Sequence, residues 1–115
     1  MSDTIFAKII KKEIPADIVF ESDNILAFRD INPQSPIHIL IIPKIQIPRI
    51  SDLKLPEHSK ILSEIFETAN KLAKDFKIDK EGYRLVFNCG SNGGQEVEHL
   101  HLHLLGGRKM KWPPG

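Results

Sequence analysis

The chain has 115 residues, a formal net charge of +1 and 27% charged residues. This length suits a single domain over residues 1–115, and a hydrophobic fraction of 41% is enough for a modest core. The near balance of charge argues against a nucleic-acid partner, because such binders usually carry a basic excess. Cys89 is the only cysteine, so no intrachain disulfide can form. Without a long apolar run or a signal-peptide pattern, we expect a cytoplasmic protein with no membrane partner.

Apolar spacing and turn residues predict the elements of the first half of the chain. The first helix has an apolar stripe at helical spacing, Asp3 or Thr4 can cap it, and Pro15 limits it. A later strand is apolar at almost every position, which indicates burial on both faces. The predicted elements are a helix from residue 5 and strands over 18–21, 25–29 and 37–42.

The second half is dominated by one long helix. Its apolar residues, from Ile61 to Phe76, trace a single stripe, and Pro56 suits its first turn. A strand over 85–88 and a glycine-rich loop over 90–94 follow, and a final strand carries three histidines. These elements together predict an α+β fold, with a five-stranded antiparallel sheet, a short N-terminal helix and one long helix.

The three histidines of the last strand alternate with leucines. His99, His101 and His103 would share one face of a strand while the leucines between them point into the core. Neutral imidazole is a good nucleophile near pH 7, and the central ring, His101, has a neighbour on each side. Alternating histidines can also hold zinc. The spacing alone leaves these two interpretations open, and three surface histidines without a role are a third.

The glycine-rich loop and the two other histidines, which lie far away in sequence, also bear on the site. Gly93 and Gly94 can present backbone amides to an anion and let a ligand approach closely, so they indicate a phosphate pocket. His38 lies among isoleucines and is either a buried ring bonded to backbone or a partner that orients one of the three rings. His58 follows Glu57 near the start of the long helix, and we expect it to be exposed and without a role.

The segment His99 to Leu105 resembles the signature of the histidine triad (HIT) superfamily. Further segments, in order along nearly the whole chain, are similar to its Hint branch, the histidine triad nucleotide-binding proteins. They are 3–10, 14–16, 27–31, 38–44, 93–95 and 112–115. The resemblance implies a HIT-like fold, a homodimer and a purine nucleotide site for AMP or GMP derivatives. It also implies hydrolysis of phosphoramidates through a nucleotidyl-histidine intermediate, with no cofactor, and it favours the nucleophile over zinc.

Catalytic roles follow from the same resemblance. His101 matches the nucleophile, and His103 matches the ring that contacts the phosphate. His99 and His38 match the histidines that support and orient the nucleophile. Asp30 matches the carboxylate that accepts the ribose hydroxyls, as expected for a carboxylate facing a diol.

The remaining site residues are also implied by resemblance. Asn88 and the amide of Gly94 match contacts on the phosphate side. Glu96 stands where animal members of the branch carry a serine that touches the leaving group. Trp112 lies in a proline-stiffened segment and is expected to dock on a partner chain or a substrate edge. The apolar walls of the base pocket match Ile5, Phe6, Ile9, Phe28, Ile31 and Leu40.

The expected function is therefore a nucleoside phosphoramidase. Two alternatives remain at this point. One is a dinucleoside polyphosphate hydrolase of the same superfamily, although such proteins resemble this chain less at the C-terminus. The other is a regulatory module that binds a nucleotide or zinc. Transferases of the superfamily tend to carry glutamine at the third triad position, so His103 disfavours that reaction.

Overall fold

A computed structural model describes residues 3–115. Five strands form one antiparallel sheet in the order β1-β2-β3-β5-β4, which confirms the predicted α+β fold. No helix in the described range is long and apolar enough to cross a membrane. The elements are α1 (Ile5–Ile10), β1 (Ile18–Glu21), β2 (Ile25–Arg29), β3 (Ile37–Pro43), a short 3-10 turn (Ile50–Asp52), α2 (Ser59–Asp75), β4 (Tyr83–Phe87) and β5 (Leu102–Gly106).

The two faces of the central sheet are both buried, which explains the continuous apolar run of β3. Ile39 and Ile41 point to the α2 side and join the main core, together with Leu102 and Leu104 of β5. Leu40 and Ile42 point to the other side and pack in a smaller cluster with Phe6 and Ile9 of α1. Because residues alternate along a strand, His38 lies on the α1 side with Leu40, and His103 lies there too. The register pairs Leu40 with His103, which brings that ring beside His38.

The first helix is anchored as predicted. The hydroxyl of Thr4 accepts the amide N–H of Ala7 at 3.1 Å, so Thr4 is the N-cap. Phe6 and Ile9 are its buried residues, each 6% exposed, whereas Ile5 is half exposed. The cap therefore fixes the end of a helix that covers one side of the sheet.

The prediction that His99, His101 and His103 share a strand is wrong in its extent. The strand β5 begins at Leu102, so only His103 lies on it. If the register of β3 and β5 continued, Leu100 would pair with Pro43 of β3. Proline has no N–H, so it cannot continue the ladder of hydrogen bonds there. Leu100 instead donates its amide to the carbonyl of Ile47. The alternation nevertheless persists, because Leu100 still reaches the main core.

The long helix also begins later than predicted. Residues 55–58 form a turn and α2 starts at Ser59. Two hydrogen bonds between His58 and Lys54 close the turn. The amide of His58 donates to the carbonyl of Lys54, and the ring Nδ1 of His58 accepts the amide of Lys54 at 2.9 Å. The His58 side chain is consequently only 16% exposed, so the expectation of a surface histidine is wrong.

Candidate active site

A cleft of about 520 Å³ opens on the α1 side of the sheet. Its apolar end is formed by α1 and by the strands β2 and β3. Its polar end is formed by the segment after β4 and by the histidine segment. The apolar lining includes Ile5, Phe6, Ile9, Phe28, Ile31 and Leu40, all six residues expected as base-pocket walls. The polar lining includes Asp30, His38, Asn88, Gly94, Glu96, His101 and His103.

His101 is held in one tautomer by the backbone. Its Nδ1 lies 2.7 Å from the carbonyl oxygen of His99, which can only accept, so Nδ1 carries the proton and donates it. The opposite nitrogen, Nε2, therefore keeps a free lone pair. The ring of Phe6 packs edge-on against the ring of His101, with centroids 5.0 Å apart, and helps to fix the plane of the imidazole. His101 is 7% exposed and lines the cleft, so an unprotonated nitrogen borders the space where a ligand would lie.

His103 is oriented by His38. The Nδ1 of His38 accepts the amide of Gln34 at 3.0 Å, so its Nε2 carries the proton. That nitrogen lies 2.9 Å from Nδ1 of His103, which must accept. In its neutral form His103 then carries its proton on Nε2. The hydrogen bonds from Gln34 to His38 and from His38 to His103 thus make Nε2 of His103 a donor, whereas Nε2 of His101 is an acceptor.

All four rings are biased toward their neutral forms. Burial lowers the pKa of His99, His101 and His38, because a charged ring is poorly solvated there. Burial, with the neighbouring His101 and His38, lowers the pKa of His103 to about 4. At pH 7 the rings are therefore neutral, so His101 presents a lone pair on Nε2 and His103 presents an N–H.

His99 does not line the cleft, although the three triad residues are adjacent in space. It is 1% exposed, and its Nε2 donates to the carbonyl of Pro43 at 2.8 Å. The ring anchors the chain to β3, while the carbonyl of the same residue holds His101. The expectation that the rings of His99 and His38 both orient His101 is thus corrected, since His38 contacts His103 and the backbone of His99 contacts His101.

The glycine-rich loop closes on itself. Gly94 donates its amide to the carbonyl of Ser91, and Gln95 donates its amide to the carbonyl of Gly90, each at 3.0 Å. The predicted use of the Gly94 amide as an anion donor is therefore wrong for this conformation, because the amide is already used in the turn. Gly94 still lines the cleft, with a φ of +86° that favours glycine.

Gln95 locks this loop to two other segments. Its side-chain Oε1 accepts the amide of Gly90, and its Nε2 donates to the carbonyls of Pro48 and Val97. Every polar atom of the side-chain amide is thereby used. Gln95 lies in the 93–95 segment of the family resemblance, which implied no role for it, and its partners are backbone groups that a sequence motif does not identify.

Two predicted site residues lie at the margins. Ile31 lines the cleft but is 96% exposed, so it forms a rim of the pocket rather than a wall. Trp112 is 83% exposed and does not line the cleft of its own chain. The segment before it is held at the β4 edge of the sheet, where Arg84 donates to the carbonyl of Lys111. A contact of Trp112 with substrate within one chain is therefore not supported.

The most important contact that the sequence did not indicate is the hydrogen bond from the backbone amide of Gln34 to Nδ1 of His38, which sets the tautomer of that ring. The donor is a backbone group, so the identity of residue 34 carries no signal for it. The only sequence feature beside it is the loop between β2 and β3, where Pro33 and Pro36 flank Gln34 and Ser35.

One group of residues in the described range has the side chains that could bind zinc. Asp30, His38 and His103 each offer a ligand atom, and these atoms lie within 4.8 Å of one another. Nitrogen ligands of a tetrahedral zinc lie about 3.3 Å apart, from bonds of about 2.0–2.1 Å. The two imidazole nitrogens here are 2.9 Å apart and share a proton. As arranged, these residues fit a hydrogen-bonded relay and do not fit a zinc ion.

The fold and the site together define a small α+β protein whose histidine-lined cleft has an apolar end and a polar end. The chain belongs to the HIT domain family, whose model matches residues 11–110. It is 52% identical over 108 residues to the purine nucleoside phosphoramidase of Escherichia coli, covering 94% of this chain and 90% of that protein.

Two further proteins are similar to nearly the whole chain. A 14 kDa zinc-binding protein of Brassica juncea is 53% identical over 114 residues, covering 98% of this chain and all of that protein. The crystal structure of a HIT family hydrolase from Legionella pneumophila superposes with a TM-score of 0.94 at 58% identity, covering 96% of this chain and 98% of that one.

Proposed function

We propose that this protein hydrolyses the phosphorus–nitrogen bond of purine nucleoside phosphoramidates. The observation that carries the proposal is the tautomer of His101, whose Nδ1 is bound to a carbonyl and whose Nε2 is an unprotonated nitrogen at the cleft. The named activity of the Escherichia coli relative supports the same reaction. The chain would act as a single HIT domain over residues 1–115.

The cleft suits a nucleoside monophosphate. A purine would lie at the apolar end between Phe6, Phe28 and Leu40, since burying its faces there removes apolar surface from water. Asp30 would accept the ribose hydroxyls. The phosphate would then lie at the polar end, where the amide of Asn88 and the Nε2 of His103 are available as donors.

In the first step, the Nε2 lone pair of His101 forms a bond to phosphorus. The bond from phosphorus to the amine breaks, its electron pair stays on the amine nitrogen, and that nitrogen takes a proton from water. Charge that moves onto His101 is stabilised because its Nδ1–H points at the carbonyl of His99. Negative charge on the phosphoryl oxygens meets the preorganised donors of His103 and Asn88.

In the second step, water attacks phosphorus and the bond to His101 breaks. The imidazole recovers its electron pair, the water loses a proton, and the nucleoside monophosphate is released. One water is consumed overall, and the products are the monophosphate and the free amine. Splitting the displacement into two steps is the usual gain from a covalent nucleophile.

The charge of the cleft favours this substrate over a dinucleoside polyphosphate. Arg29 is the only lysine or arginine among the described lining residues, and its guanidinium is engaged elsewhere. It lies 3.2 Å from the carboxylate of Asp17 and 4.9 Å from the centre of the Phe76 ring. A phosphoramidate of a monophosphate carries one negative charge, which neutral donors can stabilise. A polyphosphate carries several, and they would need cations.

Mass spectrometry after rapid quenching tests the proposal. Protein mixed with an adenosine phosphoramidate and quenched in acid within milliseconds should carry a nucleotidyl adduct on His101. Diadenosine tetraphosphate, used in parallel, should be cleaved more slowly. An adduct on another residue, or turnover with no adduct at any time, would remove His101 from the reaction. Stoichiometric zinc that resists chelation in the purified protein would favour a metal-binding role instead.

We also propose a homodimer. The strand β4 lies at one edge of the described sheet, and all its residues are half-buried. Beside it, Phe66 of α2 is 40% exposed and contacts the ring of Phe87, with centroids 6.1 Å apart. A strand edge next to apolar surface is suited to pairing with a second copy. Sedimentation equilibrium checks this, since a monomer at all concentrations would contradict it.

A further inference from the structure

The cleft contains one carboxylate that the proposed chemistry leaves unused. Asp30 is engaged, because one oxygen accepts the amide of Asn32 at 2.8 Å and the other lies 3.4 Å from Nε2 of His38. Glu96 is different. It lines the cleft and is exposed, and no residue in the described range 3–115 forms a hydrogen bond or an ion pair with its side chain.

Glu96 lies at the end of the cleft where a leaving group would emerge. It follows Gly94 by two residues and lines the polar end together with Asn88 and His101. Its negative charge raises the pKa of His101 and so opposes part of the effect of burial, which means that the carboxylate is within electrostatic reach of that ring. With the purine at the apolar end, the substituent on the departing amine would extend past this carboxylate into solvent.

We propose that Glu96 selects phosphoramidates whose leaving amine carries a second, cationic group, and disfavours those that carry an anionic group. The inference rests on the proposed function. The substrate phosphate and Glu96 are both negative and repel each other, and a cation on the leaving group relieves that repulsion. Among the described lining residues no lysine or unpaired arginine can do so, because Arg29 is bound to Asp17.

The expected preference is modest because Glu96 is exposed. A single exposed ion pair changes an equilibrium by about two- to fivefold. A cationic and an anionic substituent act in opposite directions, so their kcat/KM values should differ by about tenfold at low ionic strength. Salt should reduce the difference, since the Debye length falls from about 30 Å at 0.01 M to about 3 Å at 1 M.

Three matched substrates test the inference. Each is an adenosine monophosphoramidate with a leaving group of similar length, namely an alkyl diamine, a neutral alkylamine and β-alanine. Their kcat/KM values are expressed relative to the neutral amine, for wild type, for E96Q and for the control variant E98Q. Glu98 is also exposed and two residues away, but it pairs with Arg49 and does not line the cleft. E98Q therefore makes the same change in net charge away from the site.

The order diamine, neutral amine, β-alanine is expected for wild type and E98Q, and E96Q should reduce the spread to within about twofold. Equal rates for the three substrates in wild type, or an unchanged order in E96Q, would overturn the role of Glu96 and leave the proposed function intact. A loss of the order in E98Q as well would assign it to net charge and also overturn that role. No cleavage of any of the three by wild type would overturn the proposed function itself.

Discussion

The depressed pKa of His103 makes folding stability depend on pH in a way that one substitution can isolate. The ring is kept neutral by burial and by His101 and His38, with a pKa of about 4 against an ordinary value of about 6.5. Between these two values the unfolded chain binds more protons at this position than the folded chain. The free energy of unfolding therefore falls as the pH is lowered through this window.

The size of the effect follows from the two pKa values. Their separation corresponds to about 3 kcal/mol once the pH is below both, and to about 2 kcal/mol between pH 7 and pH 5. His103 is partly exposed, and water reduces such effects, so we expect about 1 kcal/mol over that interval. The stability is fully present above about pH 6.5 and is lost as the pH falls toward 4.

Urea unfolding of wild type and H103Q at several pH values between 7 and 5 measures this contribution. Glutamine keeps a polar side chain but cannot titrate, so the variant retains only the pH dependence of the other groups. Wild type should lose about 1 kcal/mol more than H103Q over this range, at one fixed protein concentration. Parallel curves for the two proteins would refute the reasoning, because they would mean that His103 is already solvated enough to titrate normally in the fold.

Four further substitutions have expected outcomes. H101A should lower turnover of an adenosine phosphoramidate by at least about 10³-fold in steady-state assays, with little change in the Kd for AMP by calorimetry, because only the nucleophile is lost. L104A should reduce the free energy of unfolding in urea by about 2–5 kcal/mol, since Leu104 is fully buried, whereas I31A at the exposed rim should stay within about 0.5 kcal/mol. G94A should cost about 1–2 kcal/mol and raise KM, because the residue has a φ of +86° beside the cleft. Near-native turnover in H101A, equal costs for L104A and I31A, or an unchanged G94A would contradict the respective arguments.

Local patterns in the sequence were enough to predict most of the fold. The alternation of leucines and histidines correctly placed Leu102 and Leu104 in the core and His103 on the opposite face, because the period of a strand is a local property. The hydroxyl of Thr4 and the apolar stripe of α1 likewise act within one helical turn. Residues of the cleft, such as Asp30 and Glu96, were assigned through family resemblance rather than through spacing.

The errors involve the partners of single backbone groups, some on a distant strand and some within a local turn. The start of β5 depends on Pro43 of another strand, and the start of α2 depends on a turn closed by the ring of His58. A sequence pattern cannot show which partner a backbone group will find.

By itself, the sequence determined that three imidazoles would be held close together in a small α+β domain, because their spacing is covalent and their leucine neighbours must be buried. The tertiary structure decided which nitrogen of each ring carries a proton. That choice depends on the carbonyl of His99 for His101, and on the amide of Gln34 acting through His38 for His103. The carbonyl of His99 and the amide of Gln34 are backbone groups that almost any residue could supply, so only the folded chain reveals that one triad ring offers a lone pair and the next offers a proton.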